Sequence, residues 1–212
     1  MIYLIITTSI HNRYGDQATT AYQRKERYLY AISETLKILP YEIMPIIVEN
    51  NGKRDTYLDN FYHGQKSVDV LYTENNNLQF KSKGANELLD IKDVISHYKI
   101  KDDDMIIKLT GRYKAISPKF FEYIIANQHG HDAFVKFFGT CSLKFELYDC
   151  ILGCYAMRVK YIKLCSHYSL DSYKSAEIAF ARYSRLSGAR LQEIEILDIE
   201  CLFAEDSKIL YV

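Results

Sequence analysis

The sequence of 212 residues has no excess of charge of either sign, because 27 Lys and Arg side chains balance 27 Asp and Glu side chains. Proteins that bind duplex nucleic acid usually carry an excess of basic side chains to meet the phosphates. The balance therefore argues against a nucleic-acid partner. It leaves room for a small local basic site of the kind that binds a diphosphate.

Long apolar runs and paired cysteines are missing as well. No run approaches the roughly 20 apolar residues that span a bilayer, and the opening Met-Ile-Tyr-Leu-Ile-Ile lacks the charged leader and cleavage site of a signal peptide. The cysteines form no CxxC pair, which favours reduced thiols over disulfides or a zinc site. They are Cys141, Cys150, Cys154, Cys165 and Cys201. These absences predict a cytoplasmic protein without a transmembrane segment.

Familiar enzyme motifs are also absent. No GxGxxG fingerprint follows the first apolar run, and no GxxxxGK[ST] P-loop occurs anywhere in the chain. These two absences disfavour a nicotinamide dehydrogenase and a P-loop NTPase. A GxSxG elbow and an HExxH helix are missing too.

What the sequence does contain is an alternation of apolar β-type runs and helical spacings. The composition, 48% apolar and 25% charged, suits a globular domain with a proper core. Four buried strands are predicted at 1–10, 44–48, 68–72 and 105–109, and the helical spacings between them centre on 29–39, 56–62 and 84–98. This order predicts an α/β fold with a mostly parallel central sheet flanked by helices.

The second half of the chain is less regular. Ser117 and Pro118 have the pattern of a helix start, and another helix is predicted from Ser175 to Leu186. Shorter strands are predicted at 133–138, 151–157 and 191–199. The last five residues form no polar tail, so we expect a single domain cut from a longer polypeptide that carries other domains.

Four strongly polar segments follow the four predicted strands. They are Thr7–Arg13, Glu49–Gly52, Thr73–Asn77 and Thr110–Tyr113. In a parallel sheet the loops after the carboxyl ends of the strands meet in one crevice, where ligands bind. The pattern therefore predicts a single ligand site built from all four segments.

Four short stretches carry a family resemblance: Thr7-Thr8-Ser9 with Arg13, Glu49-Asn50-Asn51-Gly52, Lys83-Gly84-Ala85-Asn86-Glu87, and Lys108-Leu109-Thr110-Gly111-Arg112-Tyr113. In these residues the sequence resembles the GT-A class of nucleotide-sugar glycosyltransferases, and within it the N-terminal glycosyltransferase domains of chlorella-virus proteins. The resemblance implies a GT-A-like, Rossmann-like fold with a nucleotide-sugar-binding half at 1–113 and a smaller acceptor-side half at 114–212. For a viral protein, the compartment would be the host cytoplasm.

The resemblance also implies a donor and its binding residues. The donor would be a UDP-sugar carrying a hexose or deoxyhexose, and the acceptor a glycan hydroxyl. The predicted donor-binding residues are Thr7, Thr8, Arg13, Glu49, Asn50, Lys83, Gly84, Asn86, Lys108, Thr110, Gly111 and Arg112. Two simpler interpretations stay open: 49–52 has the composition of a plain turn, and 83–86 that of an ordinary helix start with a solvated lysine.

The sequence departs from the GT-A class where an Asp-x-Asp motif usually holds a divalent metal. That place reads Thr110-Gly111-Arg112, so dependence on Mn²⁺ or Mg²⁺ is in doubt. Arg112 and Lys108 could instead neutralise the diphosphate directly. The run 102–104 contains the right letters but precedes its strand, at the wrong end of the sheet. Glu49, or Glu74 with its loop, could still supply metal ligands, so the metal stays open.

A transferase also needs a group that accepts the proton of the acceptor hydroxyl. The resemblance points to a carboxylate near a late helix, with Glu177 first, Asp171 second and Asp149 third; for Glu177 the alternative is a favourable charge in the first turn of a helix. Tyr155 and Arg158 would line the acceptor side. Two other functions stay open: a nucleotidyltransferase that makes nucleotide sugars, and a non-catalytic module that binds them.

Overall fold

The computed structural model describes residues 1–10, 21–52, 54, 56–78, 80–137, 149–173, 175–202 and 209–212. Its strands are β1 (Ile2–Thr8), β2 (Ile43–Glu49), β3 (Tyr62–His63), β4 (Lys66–Ser67), β5 (Asp69–Tyr72), β6 (Met105–Thr110), β7 (Lys114–Ala115), β8 (Ala133–Val135), β9 (Cys154–Arg158), β10 (Leu191–Glu193), β11 (Ile199–Leu202) and β12 (Ile209–Tyr211). Its α-helices are α1 (Ala21–Ile38), α2 (Lys83–His97), α3 (Lys119–Asn127), α4 (Val159–Leu164), α5 (His167–Ser172) and α6 (Ala176–Leu186). Short 3₁₀ turns lie at Thr56–Leu58 and Asn75–Asn77.

A seven-stranded sheet forms the centre, in the order β5, β2, β1, β6, β9, β8, β10. The first four of these strands are parallel to one another. β9 runs antiparallel to both of its neighbours, while β8 and β10 are parallel to each other. The prediction of a mostly parallel sheet flanked by helices is confirmed.

Helices cover the sheet on both faces, which explains why β1 is apolar at nearly every position. Alternate residues of β1 point to opposite sides: Leu4 packs in the core beneath α1, and Ile5 in the core beneath α2. A strand buried on both faces needs a nearly continuous apolar run. Polar side chains therefore come together where the strands end. We call the end at which β1, β2, β5 and β6 terminate the carboxyl edge, and the opposite end the amino edge.

A second, three-stranded sheet of β12, β11 and β7 lies beside the carboxyl edge. Glu200 of β11 is paired with Arg27 of α1 at 2.9 Å and with Lys114 of β7 at 2.8 Å. Arg27 also donates from Nε to the backbone oxygen of Arg112 at 2.8 Å. These bonds fix the chain where it leaves β6.

Several predicted elements differ in the structure. The predicted helix at 56–62 is one 3₁₀ turn followed by the β3–β4 hairpin, and the predicted strand at 191–199 divides into β10 and β11, which belong to different sheets. The strand predicted at 151–157 begins only at Cys154, and the six-residue helices α4 and α5 were not predicted. Elements this short span too few residues to show a clear period. Among the helices described, none combines the length and the apolarity needed to cross a membrane.

Candidate functional site

A pocket opens at the carboxyl edge, and we call it the carboxyl-edge pocket. It has an empty volume of about 360 Å³, including space open to solvent. The parallel register sets the end of β1 directly between the ends of β2 and β6, and α1 and α2 supply the walls. The lining residues are Thr7, Thr8, Ser9, Arg24, Tyr28, Asn50, Lys83, Asn86, Glu87 and Arg112. All four of the stretches that resemble the GT-A class therefore contribute residues directly to one site.

Positive charge dominates this pocket. Arg24, Lys83 and Arg112 line it, and Glu87 is the single acid among the lining residues that the structure describes. Arg24 is buried and donates from Nη2 to the backbone oxygen of Ser9 at 2.8 Å. The pocket also faces the first turn of α2, where the helix dipole adds positive potential. The arrangement suits an anionic ligand.

Two buried polar atoms in residues that line the pocket have no hydrogen-bond partner within the described part of the chain. They are Thr7 Oγ1 and Asn50 Oδ1, in residues that are only 3% and 4% exposed. Buried polar groups are nearly always paired in folded proteins, and one left unpaired costs about 1–3 kcal/mol. Ligand atoms would complete both groups.

Asp90 of α2 holds the loops around the pocket together. Its Oδ2 accepts from Asn50 Nδ2, and its Oδ1 accepts from Thr73 Oγ1 and Asn75 Nδ2, each at 2.8 Å. Burial raises the pKa of this carboxyl to about 7, although the hydrogen bonds from Asn75, Thr73 and Asn50 act in the opposite direction. Asp90 thus connects α2 to the ends of β2 and β5.

Lys108 lies beneath the pocket, and its ammonium group is already bonded to three protein acceptors. Its Nζ contacts Glu87 Oε2 at 2.5 Å, Thr110 Oγ1 at 2.7 Å and the backbone oxygen of Leu152 at 2.9 Å. An ammonium group has three donors, and the side chain is 1% exposed. The prediction that Lys108 contacts a diphosphate is therefore corrected: Lys108 and Thr110 hold Glu87 in place.

Glu49 also differs from its predicted role. The residue is completely buried, its Oε1 accepts from the backbone N–H of Ile10 at 3.2 Å, and its Oε2 accepts from the Tyr57 hydroxyl at 2.7 Å. Asn50, one residue later, is the one that lines the pocket. The turn at 49–52 therefore contributes the amide of Asn50 to the pocket. The carboxylate of Glu49 instead forms hydrogen bonds with neighbouring loops.

Gly111 serves packing directly and the pocket indirectly. A Cβ at this position would lie 2.8 Å from Thr8 Cγ2 and 3.0 Å from Tyr28 Cδ1. Its N–H donates to the backbone oxygen of Thr7 at 2.8 Å. The close approach of β6 to β1 requires glycine here, and it brings Arg112 to the pocket.

Gly84 lets two helix starts meet. A Cβ there would lie 2.7 Å from the Cβ of Ala176, at the start of α6, and 2.7 Å from Leu152 Cδ2. The N–H of Gly84 already donates to Ser82 Oγ at 3.1 Å. The sequence predicted a glycine that exposes amides to phosphate, whereas the missing side chain makes room for α6.

The three predicted carboxylates differ in their surroundings. Glu177, in the first turn of α6, accepts from Ser175 Oγ at 2.7 Å and is half-buried. Asp171 accepts from the backbone N–H of Ser82 at 2.9 Å, just before α2. Both therefore lie near the first turn of α2. Asp149 is completely buried, and its Oδ1 accepts from the N–H of Cys150 at 2.7 Å.

The two predicted acceptor-side residues lie at different ends of β9. Tyr155 pairs in register with Lys108 and packs on Phe180, with ring centroids 4.4 Å apart. It lines a small cavity of about 200 Å³ that Glu87 and Lys108 also line. Arg158 pairs with Met105 at the amino edge and donates from Nε to Asp132 at 2.9 Å. Because β9 is antiparallel to β6, the prediction that Arg158 lines the sugar pocket is wrong.

Arg13 lies outside the described residues. In the part of the chain that the structure describes, no cluster of three or more His, Cys, Asp or Glu side chains could hold a metal. The run 102–104 lies at the amino edge, as the sequence predicts, where Asp104 pairs with the N-terminal amine at 2.6 Å and Asp102 with Lys163 at 2.5 Å. Among the described lining residues of the carboxyl-edge pocket, Glu87 is the one carboxylate, and it is paired with Lys108.

Four lining residues were not named among the predicted donor-binding residues: Ser9, Arg24, Tyr28 and Glu87. Asp90, which holds the loops, was not predicted either. Arg24 and Tyr28 lie four residues apart on α1, so helical spacing places them on the same face. Glu87 stands inside a stretch already singled out, but its ion pair with Lys108 depends on the packing of α2 against β6.

Comparison with known proteins bears on the fold. No protein-family model matches the sequence, and no curated protein matches it. Among solved structures, a protein from Desulfovibrio desulfuricans G20 that is provisionally assigned as a nucleotide-diphospho-sugar transferase matches with a TM-score of 0.57 at 8% identity, over 91% of this chain and 79% of that one. The bifunctional IspDF from Campylobacter jejuni matches with a TM-score of 0.52 at 12% identity, over 99% and 51%. A197 from STIV matches with a TM-score of 0.50 at 10% identity, over 99% and 93%. The chain therefore has the fold of nucleotide-diphospho-sugar transferases.

Proposed function

We propose that this chain is a glycosyltransferase that binds a nucleotide sugar, with a UDP-sugar as donor, and transfers the sugar to a glycan hydroxyl. One observation carries the proposal. Among the described residues, the carboxyl-edge pocket collects three cations and two buried polar atoms without a partner, at the place where this fold gathers the ends of its parallel strands. A nucleoside diphosphate offers polar edges for the two atoms and negative charge for the cations.

The proposal divides the pocket into two parts. Thr7, Thr8 and Asn50, at the ends of β1 and β2, would bind the nucleoside through hydroxyl and amide groups. Arg24, Lys83 and Arg112 would bind the diphosphate. Negative charge develops on the diphosphate as its bond to the anomeric carbon breaks, so these cations stabilise the transition state.

The acceptor hydroxyl would approach from the side of α6. Its oxygen forms a bond to the anomeric carbon, the bond from that carbon to the diphosphate oxygen breaks, and the nucleoside diphosphate leaves. In an inverting reaction a carboxylate takes the hydroxyl proton. Glu177 is the first candidate, because it lies in the first turn of α6, which packs against the first turn of α2. Asp171 is the second, although one of its oxygens is bound to Ser82.

Calorimetry and a turnover assay with UDP-sugars test the proposal. We expect Arg112→Ala to weaken UDP binding by about tenfold or more, the worth of a charge-assisted hydrogen bond, and to abolish sugar transfer or hydrolysis. Arg182→Ala, which removes an exposed arginine from the second turn of α6, should change neither. Full activity of Arg112→Ala would remove this residue from the mechanism. Each assay is run with and without Mn²⁺, which measures the metal dependence directly.

The same assays separate two other functions. A nucleotidyltransferase, which the fold likeness to IspDF keeps open, would release pyrophosphate from a nucleoside triphosphate and a sugar phosphate. A non-catalytic module would bind the nucleotide sugar without turnover. Transfer or hydrolysis of the sugar without release of pyrophosphate supports the glycosyltransferase.

A further inference from the structure

We propose that Asp90 sets the direction of the Asn50 side-chain amide, so that the pocket selects nucleobases whose ring nitrogen carries a hydrogen, as N3 of uracil does. The inference rests on the proposed nucleotide-binding function and concerns its base specificity. Asp90 is a positioning residue in this scheme, because it acts on the ligand through Asn50.

The direction of the amide follows from the chemistry of its partner. Asn50 Nδ2 lies 2.8 Å from Asp90 Oδ2, and Asn50 Oδ1 has no partner in the described chain. Above its pKa of about 7, Asp90 is an ionised carboxylate that can only accept hydrogen bonds, so at pH 8.5 the NH₂ group must face Asp90. The carbonyl oxygen then faces away from Asp90, in a residue that lines the pocket.

The rest of Asn50 is also fixed. Its backbone N–H donates to the oxygen of Thr8 at 3.3 Å, and its backbone oxygen accepts from Asn76 at 3.0 Å. The other carboxylate oxygen of Asp90 is occupied by Thr73 and Asn75. Oδ2 of Asp90 is therefore held at Asn50, and turning the amide would set the Asn50 carbonyl against a carboxylate.

An acceptor fixed in this way discriminates between bases. The imide N3–H of uracil donates to a carbonyl oxygen, whereas N3 of cytosine is itself an acceptor and would leave both lone pairs unpaired. Unpaired buried acceptors weaken binding, so we expect UDP to bind about tenfold or more tightly than CDP. The N1–H of guanine is also a donor, and GDP tests whether the pocket admits a purine.

The substitution Asp90→Asn should reverse the direction of the Asn50 amide. Its carbonyl oxygen can keep the bonds from Thr73 and Asn75, which places its NH₂ group against Asn50. Asn50 must then turn its carbonyl toward residue 90 and its NH₂ group into the pocket, where it matches N3 of cytosine. Asp93→Asn is the matched control: Asp93 also accepts from Asn75, at 2.7 Å, and the change in charge is the same, but the bond to Asn50 comes from Asp90.

Calorimetry with UDP, CDP and GDP on the wild type and both variants tests this inference, with circular dichroism confirming the fold. We expect the ratio of UDP to CDP affinity to fall at least tenfold in Asp90→Asn and to stay unchanged in Asp93→Asn. An unchanged ratio in folded Asp90→Asn, or no preference in the wild type, overturns the inference.

The affinities of the wild type for UDP and CDP, measured as a function of pH, test the same inference without a variant. This measurement replaces the comparison with Asp90→Asn if that variant fails to fold. The charged groups beside Asp90 are Glu87 and Asp93 on its own helix, and its partners from the loops after β2 and β5 are neutral. Protonated Asp90 would donate to Asn50 and turn the amide, so the preference for UDP should fall as the pH drops from 8.5 to 6. The diphosphate titrates alike in UDP and CDP, and their ratio isolates the base. A ratio constant with pH contradicts the inference.

One arm without nucleotide distinguishes failure of the inference from failure of the proposed function. In ¹⁵N-labelled protein, the side-chain NH₂ of Asn50 should exchange slowly with water in the wild type and in Asp93→Asn, and quickly in Asp90→Asn. Slow exchange in Asp90→Asn contradicts the assigned direction of the amide. Absence of nucleotide binding in a wild type that shows the expected exchange contradicts the proposed function and with it the base specificity.

Discussion

The two edges of the central sheet differ in how their charged side chains are paired. At the amino edge, Asp102 pairs with Lys163, Asp104 pairs with the N-terminal amine, and Asp132 pairs with both Arg158 and Arg190. Charges of opposite sign meet within this edge, where they join the starts of β6, β8 and β10 to the end of β9.

At the carboxyl edge the charges do not balance. Of the residues that the structure describes, three cations and one acid line the pocket, and the acid is paired with Lys108 beneath it. Thr7 and Asn50 add polar atoms without partners in the described chain. The acids of the amino edge named above are paired with protein cations, whereas the cations that line the carboxyl-edge pocket outnumber its one described acid. The two edges therefore differ in the balance of their charges more than in the number of charges, and this difference supports the proposed place of the site.

The largest effect on stability is expected at Asp132, on the amino edge. The residue is 3% exposed and accepts from Arg158 Nε and Arg190 Nε, each at 2.9 Å. Hydrogen bonds from Arg190, and then from Arg158, hold the pKa of Asp132 well below its usual range. Asp132→Ala leaves the largely buried Arg158 unpaired and should lower the free energy of unfolding by about 3–5 kcal/mol, measured by urea denaturation.

Nucleotide binding provides the contrast for this variant. At a temperature where Asp132→Ala is folded, its UDP affinity should equal that of the wild type, because the substitution lies at the edge opposite the pocket. Arg112→Ala should show the reverse, with weakened binding and little loss of stability. If both variants lose stability and UDP affinity to the same extent, the two edges do not have separate roles.

A smaller effect is expected at Gly84, where the carboxyl edge is closely packed. A Cβ here would lie 2.7 Å from atoms of Ala176 and Leu152, and overpacking typically costs about 1–3 kcal/mol. Gly84→Ala should therefore lower the free energy of unfolding and displace the first turn of α6. We expect sugar transfer to fall more than UDP affinity, because the clash points toward Glu177 rather than into the pocket.

Gly130→Ala is the control for this substitution. The nearest atom to a Cβ at Gly130 is the backbone oxygen of Asn127, at 3.7 Å, which is an ordinary contact. Its unfolding free energy and its turnover should match the wild type. A Gly84→Ala protein as stable and as active as Gly130→Ala would mean that the starts of α2 and α6 are not closely packed.

Long periodic segments made the fold predictable from the sequence. The buried strand β1 is apolar at its first five positions and β6 at four of its six, and the long helices α1 and α2 carry repeated apolar residues at helical spacing. Together they determine the order of the parallel strands. The antiparallel direction of β9 and the split between β10 and β11 depend on tertiary pairing, which local pattern does not encode.

The site was predicted only in part, because a sequence shows which residues follow a strand but not which atoms remain unpaired. Asn50, Lys83 and Arg112 were placed in the expected crevice. The prediction that Lys108 binds the diphosphate was corrected, because its ion pair with Glu87 depends on the packing of α2 over β6. Asp90 could have been suspected: a carboxylate directly before Ile91, on a helix face otherwise buried among apolar residues, calls for polar partners from another element.

The smallest effect is expected for the exposed pair of Asp102 and Lys163. Their side chains are 64% and 49% exposed, so water screens the attraction and an exposed pair contributes about 0–1 kcal/mol. Lys163→Ala should leave UDP affinity unchanged and lower the free energy of unfolding by less than about 1 kcal/mol, an effect that 1 M salt removes. A double-mutant cycle with Asp102→Ala measures the coupling directly. If the coupling energy is as large as the loss of stability in Asp132→Ala, exposure does not predict how much an ion pair of the amino edge contributes. A small coupling energy shows that the stability of this edge depends chiefly on the buried ion pairs of Asp132.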